Sequence, residues 1–189
     1  MDAAVAEQAR KRRTGRLVFY HPNGKGTGSA AQFELRLNRD GEDRYDCFFL
    51  EMARQRAAAS ENAGQRTPAA FDWANKGTVK LDFMDVSQFL MVLEGRCEEI
   101  GNGRGGIYHE SGESNTLISF RRSPEPKGYF LGVSRKKKDG TQLFKGQILL
   151  SDAEATGLRC VFQAALFFLA FGAESLRGNA RPPSAAGET

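Results

Sequence analysis

Cations and flat rings interleave along the second half of this 189-residue chain. Arg121, Arg122, Arg135, Lys136, Lys137, Lys138 and Lys145 stand near Phe120, Tyr129, Phe130 and Phe144. In the first half Lys76 and Lys80 flank Trp73, and Lys25 sits in a Gly-rich stretch. Cations can track phosphates, and aromatic faces accept unstacked bases at about 1–3 kcal/mol per base with little regard to sequence. Together they suit a single-stranded polyanion. Each component also has a plainer use. A ring on an alternating strand commonly packs inward, so Phe120, Phe130 and Phe144 stay open between core and platform, and Trp73 is balanced between the two. A lysine-rich hairpin tip can simply solvate an edge and block sheet-to-sheet pairing.

Other chemistries find less footing. Gly24-Lys25 invites a phosphate-loop reading, but that motif needs Gly where Phe19 stands and Ser or Thr where Gly26 stands. Residues 101–106 fit GxGxxG, yet they follow a helical pattern and precede a strand, the reverse of a dinucleotide turn. They read as a linker. The two histidines, His21 and His109, have no Cys or carboxylate at ligand spacing, so neither a metal site nor a nucleophile–His pair is expected. No catalytic constellation, cofactor or small-molecule substrate is expected.

The formal charge is +4 with a pI near 9.1, but Asp and Glu still number 23, so clustering matters more than the total. Cys47, Cys97 and Cys160 are odd in number, far apart and flanked by apolar residues, which predicts buried free thiols. No apolar run approaches the ~20 residues of a membrane span. The tightest, residues 164–172, predicts a buried helix and no membrane partner. The N-terminus lacks a secretory apolar segment. An intracellular setting is expected, cytoplasm or nucleoid if the source is bacterial.

The elements that must position these residues centre on 71–95. Val79, Leu81 and Phe83 alternate as on a strand. Val86, Phe89, Leu90 and Leu93 then follow helical spacing, with Asp85 as N-cap and Gly95 as stop. Before them come a basic arm (1–15), a strand at 16–21, a Gly-rich turn and a strand at 30–37. That strand turns Phe33, Leu35 and Leu37 inward and Gln32, Glu34 and Arg36 outward. A turn at 38–43 leads to a third strand at 44–52, apolar on both faces. Residues 53–68 are polar and predict a mobile connection or frayed helix inserted into the fold. The plan then repeats. Strands at 106–110, 115–122, 129–136 and 141–150 precede a helix capped by Ser151 and Glu154, apolar nearly all round in its latter part and ended by Gly172. One sheet face cannot cover such a helix, so contact with another subunit is expected. Residues 173–189 predict a disordered tail. The fold class is α+β, two antiparallel four-stranded sheets in a ββββα-ββββα order: one domain at 16–172, with halves at 16–95 and 104–172.

Across most of 16–172 the chain resembles the Whirly family of single-stranded-DNA-binding proteins. Phe71-Asp72-Trp73-Ala74-Asn75-Lys76 is similar to that family's Tyr-Asp-Trp-x-x-Lys, before the same strand and helix. Lys25-Gly26 with Ala30-Ala31 looks like a loosened Lys-Gly-Lys-Ala-Ala-Leu segment, its second Lys replaced by the interval Thr27-Gly28-Ser29. Tyr108-His109, residues 128–134 and Ala153-Glu154 fall where similar residues occur, which adds Tyr108 to the expected contacts. The resemblance implies a homotetramer joined through helices, with single strands along sheet edges. The missing Lys puts the contacts of that segment, and assembly beyond a tetramer, in question.

Sequence-tolerant single-stranded DNA binding in genome maintenance or transcription regulation is therefore the expected function. Guide-RNA-binding proteins share the fold, so RNA binding or annealing is the first alternative. The second is a self-assembling scaffold whose working surface is the apolar C-terminal helix.

Overall fold

Strands with one apolar face set up two antiparallel sheets in this computed structural model, which describes residues 15–36, 46–62 and 64–172. The expectations for residues 1–14, Leu37, the turn at 38–43 and the tail at 173–189 lie outside the described residues.

The first sheet has the order β1 (Arg16–His21), β2 (Ser29–Arg36), β3 (Cys47–Ala57), β6 (Ala70–Phe71), with β7 (Gly77–Leu81) also paired to β3. The strands β6 and β7 thus share one strand position in succession along the same edge of β3, at Gln55 to Ala57 and Phe48 to Met52 respectively. The second sheet has the order β11 (Gln142–Leu150), β10 (Gly128–Lys137), β9 (Ser114–Ser123), β8 (Ile107–Ser111). Helix α1 (Phe83–Leu93) follows β7, and α2 (Asp152–Phe171) follows β11. Two ββββα plans are thus realised, the first with an extra hairpin.

The core is a chain of rings. Phe162 of α2 meets Phe33, Phe48 and Phe89 at centroid distances of 5.4, 5.1 and 5.6 Å. Phe89 of α1 stacks on Phe120 at 4.8 Å, and Phe120 on Tyr129 at 5.6 Å. Both sheets and both helices are joined through these aromatic contacts. Where the sheets touch, Gly77 lies so close to the Phe144 ring that a Cβ there would collide with it. Only glycine permits that approach.

Several expectations are corrected. Residues 53–68 are neither a helix nor a loose connection: β3 continues to Ala57, and β4 (Ser60–Asn62) pairs with β5 (Gln65–Thr67). Phe83 is the first residue of α1, not an inward strand residue, and is exposed. The N-cap of α1 is Asp82; Asp85 is the N3 partner in a capping box, each carboxylate accepting the other residue's backbone N–H at 2.9 and 3.1 Å. Gln32 and Glu34 do point away from the core, yet both are buried beneath their own polar partners. Of the three thiols only Cys47 is buried; Cys97 is half-buried and Cys160 exposed. Helix α2 runs 20 residues and is by length and composition long enough to cross a membrane, although Ala155, Leu158, Phe162 and Ala165 are buried in the core.

Candidate nucleic-acid interface

The segment 71–76 is built by short-range polar bonds. The backbone N–H of Asp72 donates to the Arg54 carbonyl at 2.8 Å, which fixes the segment to β3. The Asp72 carboxylate then accepts from the backbone N–H and side-chain amide of Asn75 at 3.2 and 2.9 Å. Those bonds hold its pKa below the usual carboxylate range. The turn so closed carries Trp73 into an aromatic trio. The Tyr20 centroid is 5.4 Å from Phe71 and 6.4 Å from Trp73, and Tyr20 is 54% exposed. Lys76, at the end of the segment, donates to the buried Glu51 carboxylate at 2.6 Å, which also accepts from the Gln32 amide at 2.9 Å.

The β1–β2 turn is ordered from within. Buried Gln55 accepts from the backbone N–H groups of Asn23 and Gly28 at 2.9 and 3.0 Å, and donates to the Asn23 carbonyl at 3.0 Å. The Asn23 side chain accepts from the backbone of Lys25 and Thr27. Lys25 is thereby presented, exposed, on a fixed turn.

On the second sheet the period of two sorts the candidates. The register opposes Phe130 to Arg121, Ser134 to Leu117 and Lys145, and Tyr108 to Leu117, so these side chains share the outer face. Lys136 follows on β10, across from Asn115. Tyr108 is 60% exposed and Leu117 37%, while Phe130 is half-exposed beneath the Arg121 guanidinium. Small residues, Ser119, Gly132 and Ser134, separate them and leave the face open. Arg121, Lys136, Lys137 and Lys145 are exposed, and among the described residues they form no ion pair.

Other predicted residues land elsewhere. Arg122 and Tyr129 oppose each other on the inner face of the same sheet, and the Tyr129 ring is stacked on core Phe120 rather than offered to a base. Phe120 and Phe144 are likewise core. Arg135 is also on the inner side; its Nε donates to Ser114 Oγ at 3.0 Å. Lys138 pairs with Glu110 at 2.7 Å, and Lys76 with Glu51, so both cations already have carboxylates. Lys80 stands exposed on the outer face of the first sheet, across from Phe49. The loop carrying Trp73 and Lys76 and the basic β10–β11 tip lie at one end of the molecule, because Gly77 packs on Phe144, the register partner of Arg135. Tyr20 was missed by sequence reasoning. Its signal was the alternation of β1, which sets Tyr20 opposite to core Phe19.

Two ββββα units that share one core, with exposed rings and, among the described residues, unpaired cations on an outer sheet face, define the class; more particularly, the chain has the Whirly fold. WHY1 from Arabidopsis thaliana matches 92% of this chain and 99% of its own, with a TM-score of 0.58 and 18% identity. The plant transcriptional regulator PBF-2 matches 82% and 83%, at 0.54 and 19%. A guide-RNA-binding protein complex, solved bound to a gRNA, matches 93% and 99%, at 0.53 and 21%. At such identities the likeness is one of fold. By sequence the chain matches no family model and no curated protein.

Proposed function

We propose that this chain binds single-stranded nucleic acid, DNA in preference, with little regard to sequence. The strand would run from the Tyr20, Phe71, Trp73 trio past the β10–β11 tip and over the outer face of the second sheet. The observation that carries this reading is that exposed Tyr108, Arg121, Lys136 and Lys145 and half-exposed Phe130 share one open face, with no ion pair to those cations among the described residues. Rings without cations would suggest a protein contact, and cations without rings a solvated edge; the pairing supports a strand. The setting is genome maintenance or transcription regulation, a reading supported by the fold shared with a plant transcriptional regulator.

The working form is a homotetramer joined through α2. Its outward stripe, Val161, Phe167 and Phe171, is 38%, 46% and 68% exposed and has no cover within the described residues. Anisotropy titrations of labelled oligo-dT and of duplex DNA in rising salt test the function. The single strand binds tighter, and its log affinity falls linearly with log salt. Oligo-dT that leaves anisotropy unchanged would refute the reading.

A second reading, RNA binding or annealing, is supported by the fold shared with a guide-RNA-bound complex. Competition between DNA and RNA of one sequence separates the two, because only RNA offers the 2′-OH.

A further inference from the structure

Arg122 and Tyr129 leave the outer face only to meet a different set of partners. They line a cavity of about 260 Å³ between the β9–β10 turn and the first turns of α2, together with Lys127, Asp152, Thr156 and Arg159. Arg159 reaches it from α2, and its Nε is buried with no hydrogen-bond partner among the described residues. A guanidinium N–H held out of water without an acceptor is an incomplete site. The neighbouring charges say what completes it. Three cations face one carboxylate, and that carboxylate, Asp152, already pairs with Lys127 at 2.9 Å. The Thr156 hydroxyl donates to the Asp152 carbonyl at 2.8 Å, whereas the Tyr129 hydroxyl has no partner among the described residues.

We infer that this cavity is a phosphate site, separate from the outer face of the second sheet. The inference is that Arg122, Arg159 and the Tyr129 hydroxyl hold the oxygens of one phosphate group, with Lys127 at the rim. A tetrahedral dianion fits better than a carboxylate: it offers acceptors to two guanidinium forks from different elements, and its charge matches the surplus of two positive charges. The phosphate can be a free anion or the terminal phosphate of a strand. Only the second source rests on the nucleic-acid reading given above.

Titration of the full chain with inorganic phosphate, against chloride at equal ionic strength, tests the site by calorimetry. Binding is expected in the unmodified protein. Arg159→Gln should weaken it roughly tenfold, the value of one charge-assisted bond lost. Arg122→Gln, at the exposed rim, should do the same and guards against an Arg159 variant that folds poorly. The outer-face variant Arg121→Ala/Lys145→Ala should bind phosphate as before. Phosphate that binds no better than chloride, or equally well in both glutamine variants, would overturn the inference. Oligo-dT with a 5′-phosphate and with a 5′-hydroxyl then identify the source. Tighter binding of the former, lost in Arg122→Gln, assigns the site to a strand end; equal binding assigns it to the free anion. Should oligo-dT fail to bind at all, the inorganic phosphate result still stands on its own.

Discussion

The Arg121 guanidinium lies 4.8 Å from the ring centroid of Phe130, its register partner on the neighbouring strand. The contact keeps a cation and an aromatic ring together on a face otherwise floored by Ser119 and Gly132, and it uses no carboxylate. A cation so placed retains its charge for a phosphate while the ring edge stays available to a base.

That arrangement separates two effects by mutation. Replacing Arg121, Lys136 and Lys145 together by Ala should flatten the log–log salt dependence of oligo-dT binding by about 2, at roughly 0.7 per phosphate contact. Tyr108→Ala or Phe130→Ala should instead cost about 1–3 kcal/mol of binding with the slope unchanged. Equal slopes in the charge variant and the unmodified protein would mean that these cations do not meet phosphates.

Lys76 is predicted to matter for folding more than for binding. Its ammonium is 2.6 Å from Glu51, whose side chain is only 8% exposed. Lys76→Met would leave the buried carboxylate with only the Gln32 amide among the described residues, a loss of about 1–3 kcal/mol in urea denaturation. Adding Glu51→Gln should recover most of it. A single variant as stable as the starting protein would show that the pair contributes nothing net.

A pH effect follows from His109. The Asp85 carboxylate, 3.1 Å from its Nε2, holds the imidazole pKa above its ordinary value; burial opposes this, and Asp82 adds to the rise. A raised folded value gives stabilisation that is complete below about 6.5 and is lost as pH climbs through the folded pKa. Tm should therefore fall on going from about pH 6 to pH 9, and His109→Gln should remove that component. The same pH profile in both proteins would assign the effect elsewhere.

The outward stripe of α2 makes the assembly testable. Phe167→Ser with Phe171→Ser should lower the mass measured by light scattering from that of an oligomer to that of a single chain. The monomer fold should survive, because Leu158, Phe162 and Ala165 of α2 stay buried. A starting protein that is already monomeric at micromolar concentration would contradict the tetramer.

Much of the fold was legible because its signals are local. The capping box of Ser151 and Glu154, the alternation of β9 and the apolar stripe of α1 are each written within a few neighbouring residues, whereas the cap of α1 falls on Asp82 rather than on the expected Asp85. The β4–β5 hairpin was not legible: all six of its strand residues are exposed, so no apolar alternation marks it. The site divides in the same way. Adjacent strand residues must face opposite ways, so Arg121 and Arg122 could have been separated from the sequence by the period of two alone. What charge patterning cannot reveal is the partner. Glu51 is 25 positions from Lys76 and Glu110 is 28 from Lys138, and only folding brings those carboxylates to the cations.

Photo-cross-linking of oligo-dT carrying 4-thiothymidine, read by peptide mass spectrometry, addresses the strand path most directly. The account predicts adducts on Tyr108 or Phe130 together with Trp73 or Tyr20, all suppressed by excess unlabelled oligo-dT. Adducts confined to α2, or adducts that excess oligo-dT does not suppress, would contradict it.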